Sequence, residues 1–194
     1  MEEKIKLILD SYGTNRVKEN YPIAEISQLR VGGPARLLFV AFTQRELIKM
    51  LETCKDLKVP YFLFGTGSKI MLSDNGFKGV VIKNRTKNIQ VVSIKGKVSK
   101  LGIGVEEAMV EVDSGVTITS FIEFLKKQNL SFADFLQIPG SIGGNLFINR
   151  ALQSKVKSIK VLDSDLIEEK IAVNELSLRE HIILSVVFNI KSNV

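Results

Sequence analysis

Residues 65–82 read Gly-Thr-Gly-Ser-Lys-Ile-Met-Leu-Ser-Asp-Asn-Gly-Phe-Lys-Gly-Val-Val-Ile. Two glycine-bearing turns, 65–68 and 73–76, separate an apolar strand predicted at 61–64 from a strand predicted at 79–83. A helix predicted from Thr43 to about Lys58 comes before them. Strand, helix, strand, loop and strand in this order predict mixed α and β structure.

The remaining elements follow from hydrophobic spacing and capping residues. Thr43 and Glu46 have the spacing of a capping box, and we predict a second box at Ser120 and Glu123. From residue 89 onward short apolar segments alternate with turns, which predicts a β-rich second part and a seam at 85–90. The predicted domains are therefore 1–84 and 85–194. Further predicted helices cover 1–15 and 119–128, and further predicted strands cover 36–41, 89–95, 108–112, 159–163, 166–173 and 182–190.

The composition excludes several protein classes. The chain has 194 residues, 45% of them hydrophobic and 25% charged, which is typical of a globular fold and not of a disordered chain. No run approaches the roughly 20 apolar residues of a membrane span. The single cysteine, Cys54, cannot form an internal disulfide, and no signal-peptide pattern is present, so we expect a cytoplasmic protein.

The net charge of +6 suits nucleic acid, an anionic membrane or a small molecule that carries phosphate. Basic residues are scattered and form no continuous block. The aromatic pattern of an RNA-binding domain is missing as well, so a basic nucleic-acid-binding domain is kept only as a third and weaker hypothesis. The lone histidine, His181, has no second histidine or cysteine beside it, and we predict no metal site.

Glycine-bearing loops are the candidate binding elements. Residues 65–69 directly follow an apolar strand, and their N–H groups can form a concave anion site, with a plain tight turn as the alternative. The spacing does not match a Walker loop, and Ile70 replaces the third glycine of a Rossmann motif. The segment 138–144 can bring backbone close to a flat or anionic ligand, unless it is only a connecting loop. Arg30, beside paired glycines, is a candidate phosphate contact or a plain surface residue.

Read in order, three motifs resemble the UDP-N-acetylenolpyruvoylglucosamine reductases of peptidoglycan synthesis, the MurB family: residues 30–35, residues 65–82, and Ile-Pro-Gly-Ser-Ile-Gly-Gly-Asn-Leu-Phe-Ile-Asn at 138–149. The resemblance implies an α+β, two-subdomain FAD-binding fold of the vanillyl-alcohol-oxidase/MurB type. It also implies that 65–68 hold the FAD pyrophosphate and that 139–144 line the flavin. The implied cofactor-binding residues are Arg30, Gly65, Thr66, Gly67, Ser68, Lys69, Pro139, Gly140, Ser141, Gly143, Gly144 and Asn149.

In this family NADPH reduces the flavin, which passes hydride to the enolpyruvyl group of a UDP-sugar. An arginine in a Gly-Tyr-Arg stretch orients the substrate, and the resemblance implies Arg179 as its counterpart, although the tyrosine is absent. The family's proton donor belongs to a third, C-terminal domain that this sequence does not match. The chain also departs from the family at Lys69, at Asp113 and across 149–154.

Two hypotheses follow from the resemblance. The first is a MurB-like FAD-binding oxidoreductase that takes electrons from NADPH, with the reductase activity of this short chain left open. The second is a non-catalytic MurB-like module that acts through a partner chain. Because the substrate domain is not matched, we expect an exposed flavin face that a second copy or another chain covers.

Overall fold

The computed structural model describes residues 1–68, 73–99, 102–131 and 138–192, which form two units, 1–86 and 87–194. The first unit contains a four-stranded sheet in the order β1-β2-β4-β3. β1 is antiparallel to β2, whereas β2, β4 and β3 run parallel to one another. Its elements are α1 (Glu2–Tyr12), β1 (Val17–Pro22), a 3-10 turn (Ile23–Glu25), β2 (Pro34–Ala41), α2 (Gln44–Asp56), β3 (Tyr61–Phe64) and β4 (Phe77–Asn84).

Helix α2 begins where the sequence predicts it. The Thr43 side chain accepts a hydrogen bond from the Glu46 N–H, and the Glu46 carboxylate accepts one from the Thr43 N–H, which confirms the predicted capping box. The apolar face of the helix is fully buried and packs on β2 and β4. The helix ends at Asp56, two residues before the predicted end, and β4 is longer than the predicted 79–83.

Cys54 lies on this buried face and is 1% exposed. Burial raises the pKa of its thiol to about 12, because the thiolate loses its hydration. The native state therefore keeps the proton, and this contribution to stability is present below the ordinary thiol pKa and is lost as the pH rises towards 12. We expect a thiol reagent such as DTNB at pH 8 to modify Cys54 only after denaturation. Rapid labelling of the native protein would contradict this placement.

The second unit contains a five-stranded antiparallel sheet in the order β5-β6-β9-β7-β8. Its central strands carry one continuous apolar face, on which the α3 side chains Phe121 and Leu125 pack. The strands are β5 (Ile89–Ser99), β6 (Gly102–Asp113), β7 (Val156–Leu162), β8 (Glu168–Ile171) and β9 (Ile182–Lys191), and the helices are α3 (Ile118–Lys127), α4 (Ile142–Leu146) and α5 (Arg150–Gln153).

Three sequence predictions in this unit are wrong in detail. The cap of α3 is Thr117, whose side chain accepts from the Ser120 N–H, so the predicted box at Ser120 and Glu123 does not form. The segments expected at 89–95 and 108–112 are parts of two longer strands, β5 and β6, which pair with each other through two register shifts. The strand expected at 166–173 is restricted to Glu168–Ile171, because Leu166 has a φ of 64° and lies in a turn.

No helix in the part of the chain that the structure describes is long and apolar enough to span a membrane. Helices α1, α2 and α3 have 11, 13 and 10 residues, and a span needs about 20.

Candidate functional site

The turn at 65–68 follows β3 at the carboxyl edge of the parallel part of the first sheet. Strands β2, β4 and β3 all end at this edge, and Phe64, the last residue of β3, pairs with Lys83 of β4. In open sheets with parallel strands, ligands bind outside the carboxyl ends of the strands. The turn therefore lies where this architecture places a binding site.

The backbone of this turn carries hydrogen-bond donors without an acceptor in the described part of the chain. Gly67 has a φ of 74°, a left-handed conformation that glycine adopts without strain. Among the described residues, no acceptor bonds the N–H groups of Thr66, Gly67 and Ser68. The Thr66 hydroxyl donates to the Ser68 Oγ at 3.2 Å and so closes the turn. Consecutive N–H groups in a turn can form a concave anion site, and the use of this turn for an anion stays a prediction.

The turn that carries Arg30 packs directly against Gly67. A Cβ at Gly67 would lie 3.1 Å from the Ser27 Cα and 3.4 Å from the Gln28 N. Arg30 has a φ of 54° and an exposed side chain, and its N–H donates to the Ser27 carbonyl at 3.2 Å. The structure thus brings the Arg30 turn beside Gly65–Ser68. Lys69, the remaining predicted residue of this group, lies outside the described residues.

In the second unit, the segment 139–144 is not a loop throughout. Ser141 caps α4, and Gly143 and Gly144 lie within that helix. The Ile142 N–H donates to the Val116 carbonyl at 2.8 Å, and the Gly143 N–H donates to the Ser114 carbonyl at 2.9 Å. These N–H groups are therefore engaged inside the unit, in contrast to those of the turn at 65–68. The close backbone approach that Gly143 permits is to Ser114.

Asn145 is a structural residue of this segment that the sequence reading did not single out. Its buried Nδ2 donates to the carbonyls of Pro139 and Ser141, both at 3.0 Å, and so fixes the turn at Gly140, where φ is 113°. The signal available in the sequence is an asparagine inside the otherwise apolar stretch 142–148. Asp113 is also buried, and its Oδ2 accepts from the Asn88 N–H at 3.0 Å.

The two adjacent glycines of α4 give a matched pair of variants. A Cβ at Gly143 would lie 2.9 Å from the Ser114 Cβ and 3.2 Å from its carbonyl oxygen, whereas a Cβ at Gly144 meets only the Ser141 Oγ at 3.5 Å. We expect Gly143→Ala to lower the free energy of unfolding by about 1–2 kcal/mol. Gly144→Ala should leave it unchanged or raise it by up to about 1 kcal/mol, because alanine favours helix. Denaturant unfolding of the ligand-free protein measures both, and equal effects would contradict the packing described.

The two remaining residues of the predicted site, Asn149 and Arg179, lie elsewhere in the second unit. Asn149 caps α5, and its Oδ1 accepts from the Leu152 N–H at 3.0 Å. Arg179 is exposed on a turn that ends at His181. The His181 Nδ1 accepts from the Ser177 N–H at 3.1 Å, and its Nε2 lies 3.3 Å from the Glu169 carboxylate. The histidine therefore closes the turn that presents Arg179. Within the described residues, no cluster of His, Cys, Asp and Glu side chains has the grouping of a metal site.

Comparison with protein families and curated proteins identifies relatives. Residues 35–158 match a family described as "FAD binding domain". The UDP-N-acetylenolpyruvoylglucosamine reductase of Clostridium perfringens is 31% identical over 182 residues, which are 91% of this chain and 56% of that protein. The corresponding reductase of Clostridium botulinum is 32% identical over 163 residues, which are 80% of this chain and 49% of that protein. The chain thus spans about half the length of the curated relatives it matches.

Solved structures show the same fold. The UDP-N-acetylenolpyruvylglucosamine reductase (MurB) of Thermus caldophilus aligns with a TM-score of 0.64 at 21% identity, covering 89% of this chain and 61% of that one. Cholesterol oxidase from B. sterolicum aligns with a TM-score of 0.65 at 16% identity, covering 91% and 37%. These likenesses confirm the predicted α+β fold of the vanillyl-alcohol-oxidase/MurB type.

Proposed function

Because the chain belongs to the FAD binding domain family, we propose that it holds the diphosphate of FAD on the N–H groups of Thr66, Gly67 and Ser68. The observation that carries this proposal is the row of N–H groups without an acceptor among the described residues, at the carboxyl edge of parallel strands. Donors of this kind bind an anion without a large conformational change, because the turn already has the required backbone shape.

The residues of the second unit have different proposed roles. The N–H groups of Ile142 and Gly143 are engaged internally, so the segment 139–144 would contact the flavin through its surface and not through a second anion site. The internal hydrogen bonds of Asn145 make that surface rigid. Arg179 would orient an anionic substrate, since its guanidinium is exposed on a turn that His181 closes.

The proposed reaction is that of the reductases this chain resembles. When bound, FAD supplies hydride transfer, with NADPH as the electron donor and the enolpyruvyl group of a UDP-sugar as the acceptor. The chain itself contributes the N–H groups of the first unit, which bind the diphosphate, and the positive charge of Arg179. Reduction of the enolpyruvyl double bond takes up one proton in addition to the hydride.

An absorption spectrum of the purified protein, before and after incubation with FAD and removal of the excess, tests the proposal. We expect a flavin spectrum that stays with the protein through gel filtration. A colourless protein that retains no FAD would contradict the cofactor assignment. Anaerobic addition of NADPH then separates the hypotheses, because bleaching supports a reductase and an unchanged spectrum supports a non-catalytic module.

The expected second copy or partner chain stays a prediction. Sedimentation velocity over a wide concentration range tests self-association. A species of 21.6 kDa at every concentration would contradict the expected second copy.

A further inference from the structure

Lys83 is a basic residue at the edge of the candidate anion site that the motifs do not include. It lies near the carboxyl end of β4 and pairs in parallel register with Phe64, the residue directly before Gly65. Nothing in the glycine motifs singles it out, because eighteen positions separate Lys83 from Gly65. The register of two parallel strands brings them together.

The Lys83 ammonium group contacts the segments that form the site. Its Nζ donates to the Ile26 carbonyl at 2.7 Å, and it lies 5.8 Å from the centroid of the Phe64 ring. Ile26 directly precedes Ser27, whose Cα would lie 3.1 Å from a Cβ at Gly67. The Lys83 ammonium group thus contacts the residues that lead into both turns, the one that carries Arg30 and the one at 65–68.

The charge of Lys83 has no anionic partner among the described residues, whose ion pairs do not include it. The side chain is half-buried, and burial lowers its pKa, with a smaller contribution from Arg85. A partly buried cation without a carboxylate is costly, and proteins usually pair such a group. An ammonium group has three N–H donors, and the Ile26 carbonyl takes one of them.

We propose that Lys83 supplies positive charge for the diphosphate of the dinucleotide and so makes binding depend on the phosphates more than on the flavin ring. This inference rests on the proposed function, because it assumes that the diphosphate lies at Thr66, Gly67 and Ser68. The backbone turn gives shape and hydrogen bonds, and Lys83 adds a full charge. The anion in turn provides the charged partner that the described residues do not give the half-buried ammonium group.

The test compares Lys83→Gln and Lys83→Arg with the unaltered protein, using FAD and riboflavin as probes. Glutamine keeps N–H donors but removes the charge, and arginine keeps the charge. We expect Lys83→Gln to weaken FAD binding about tenfold, as for loss of a hydrogen bond to a charged group, and to change riboflavin affinity less than about twofold. Lys83→Arg should bind FAD more tightly than Lys83→Gln. Fluorescence titration of the flavin measures each affinity.

Salt dependence of the unaltered protein provides a test that needs no variant. Raising the salt concentration should weaken FAD binding and leave riboflavin binding almost unchanged, because riboflavin has no phosphate. Salt-independent FAD binding, equal FAD affinity of Lys83→Gln and the unaltered protein, or parallel losses for FAD and riboflavin would each overturn the inference. In all three cases FAD still binds and the proposed function stands, whereas an unaltered protein that binds no FAD overturns both.

Discussion

Replacing Phe121 with alanine should lower the free energy of unfolding of the 87–194 unit by about 4 kcal/mol. The Phe121 ring is fully buried and lies 5.3 Å, centroid to centroid, from the ring of Phe188 on β9. Truncation removes the contact between α3 and the centre of the sheet and leaves a cavity that the paired strands cannot close. Thermal or denaturant unfolding, followed by far-UV circular dichroism, measures the loss.

Phe124 provides the matched control, because it lies on the same helix but is only partly buried at the edge of the same core. We expect Phe124→Ala to cost clearly less than Phe121→Ala. Comparable losses for the two variants would mean that α3 does not present Phe121 to the sheet as described.

Replacing Gly33 with alanine should destabilise the 1–86 unit by about 3 kcal/mol, at the upper end of the range for overpacking. The Gly33 N–H donates to the Ser73 carbonyl at 3.0 Å, so the two turns meet backbone to backbone. A Cβ at Gly33 would lie 2.1 Å from the Asp74 carbonyl oxygen and 2.6 Å from the Gly76 N. Backbone atoms cannot rotate away as a side chain can, so the turns must separate.

The Gly33 variant should also weaken FAD binding. Gly33 ends the segment 27–33, which carries Arg30 and packs against Gly67 through Ser27 and Gln28. Urea unfolding and FAD titration of the same preparation measure the two effects. Gly144→Ala is the control for the substitution itself, since its Cβ has room. A Gly33→Ala protein with unchanged stability would show that the turns at 27–33 and 73–76 do not approach as closely as described.

Local signals predict those parts of the fold that neighbouring residues determine. The Thr43 and Glu46 pair predicts the start of α2 because each side chain bonds the backbone of the other residue. At α3 the same signal is ambiguous, since Thr117 and Ser120 can both cap, and burial of Ile118 favours the earlier start. The short helix α4 contains two glycines, which have a low helix propensity. Packing of Ile142 and Leu146 in the core stabilises this helix instead.

The candidate site also has one part that neighbouring residues determine and another part that depends on contacts between distant segments. The sequence predicts the glycine turn at 65–68, because its strand, its glycines and its hydroxyl residues are adjacent in the chain. Lys83 could not be predicted, since its position depends on the pairing of β3 with β4. The internal hydrogen bond of Gly143 to Ser114 depends likewise on a contact between distant segments, so a glycine there indicated close approach without identifying the partner.

In the proposed complex the N–H groups of Thr66, Gly67 and Ser68 hold the diphosphate of FAD. A two-dimensional ¹H–¹⁵N NMR spectrum of the protein, recorded with and without FAD, tests this placement residue by residue, because each backbone N–H gives its own signal. We expect the largest shifts at these three residues, and ADP, which has the diphosphate without the flavin, should shift the same signals. If FAD binds and these three signals stay in place, the diphosphate lies elsewhere and the account is wrong.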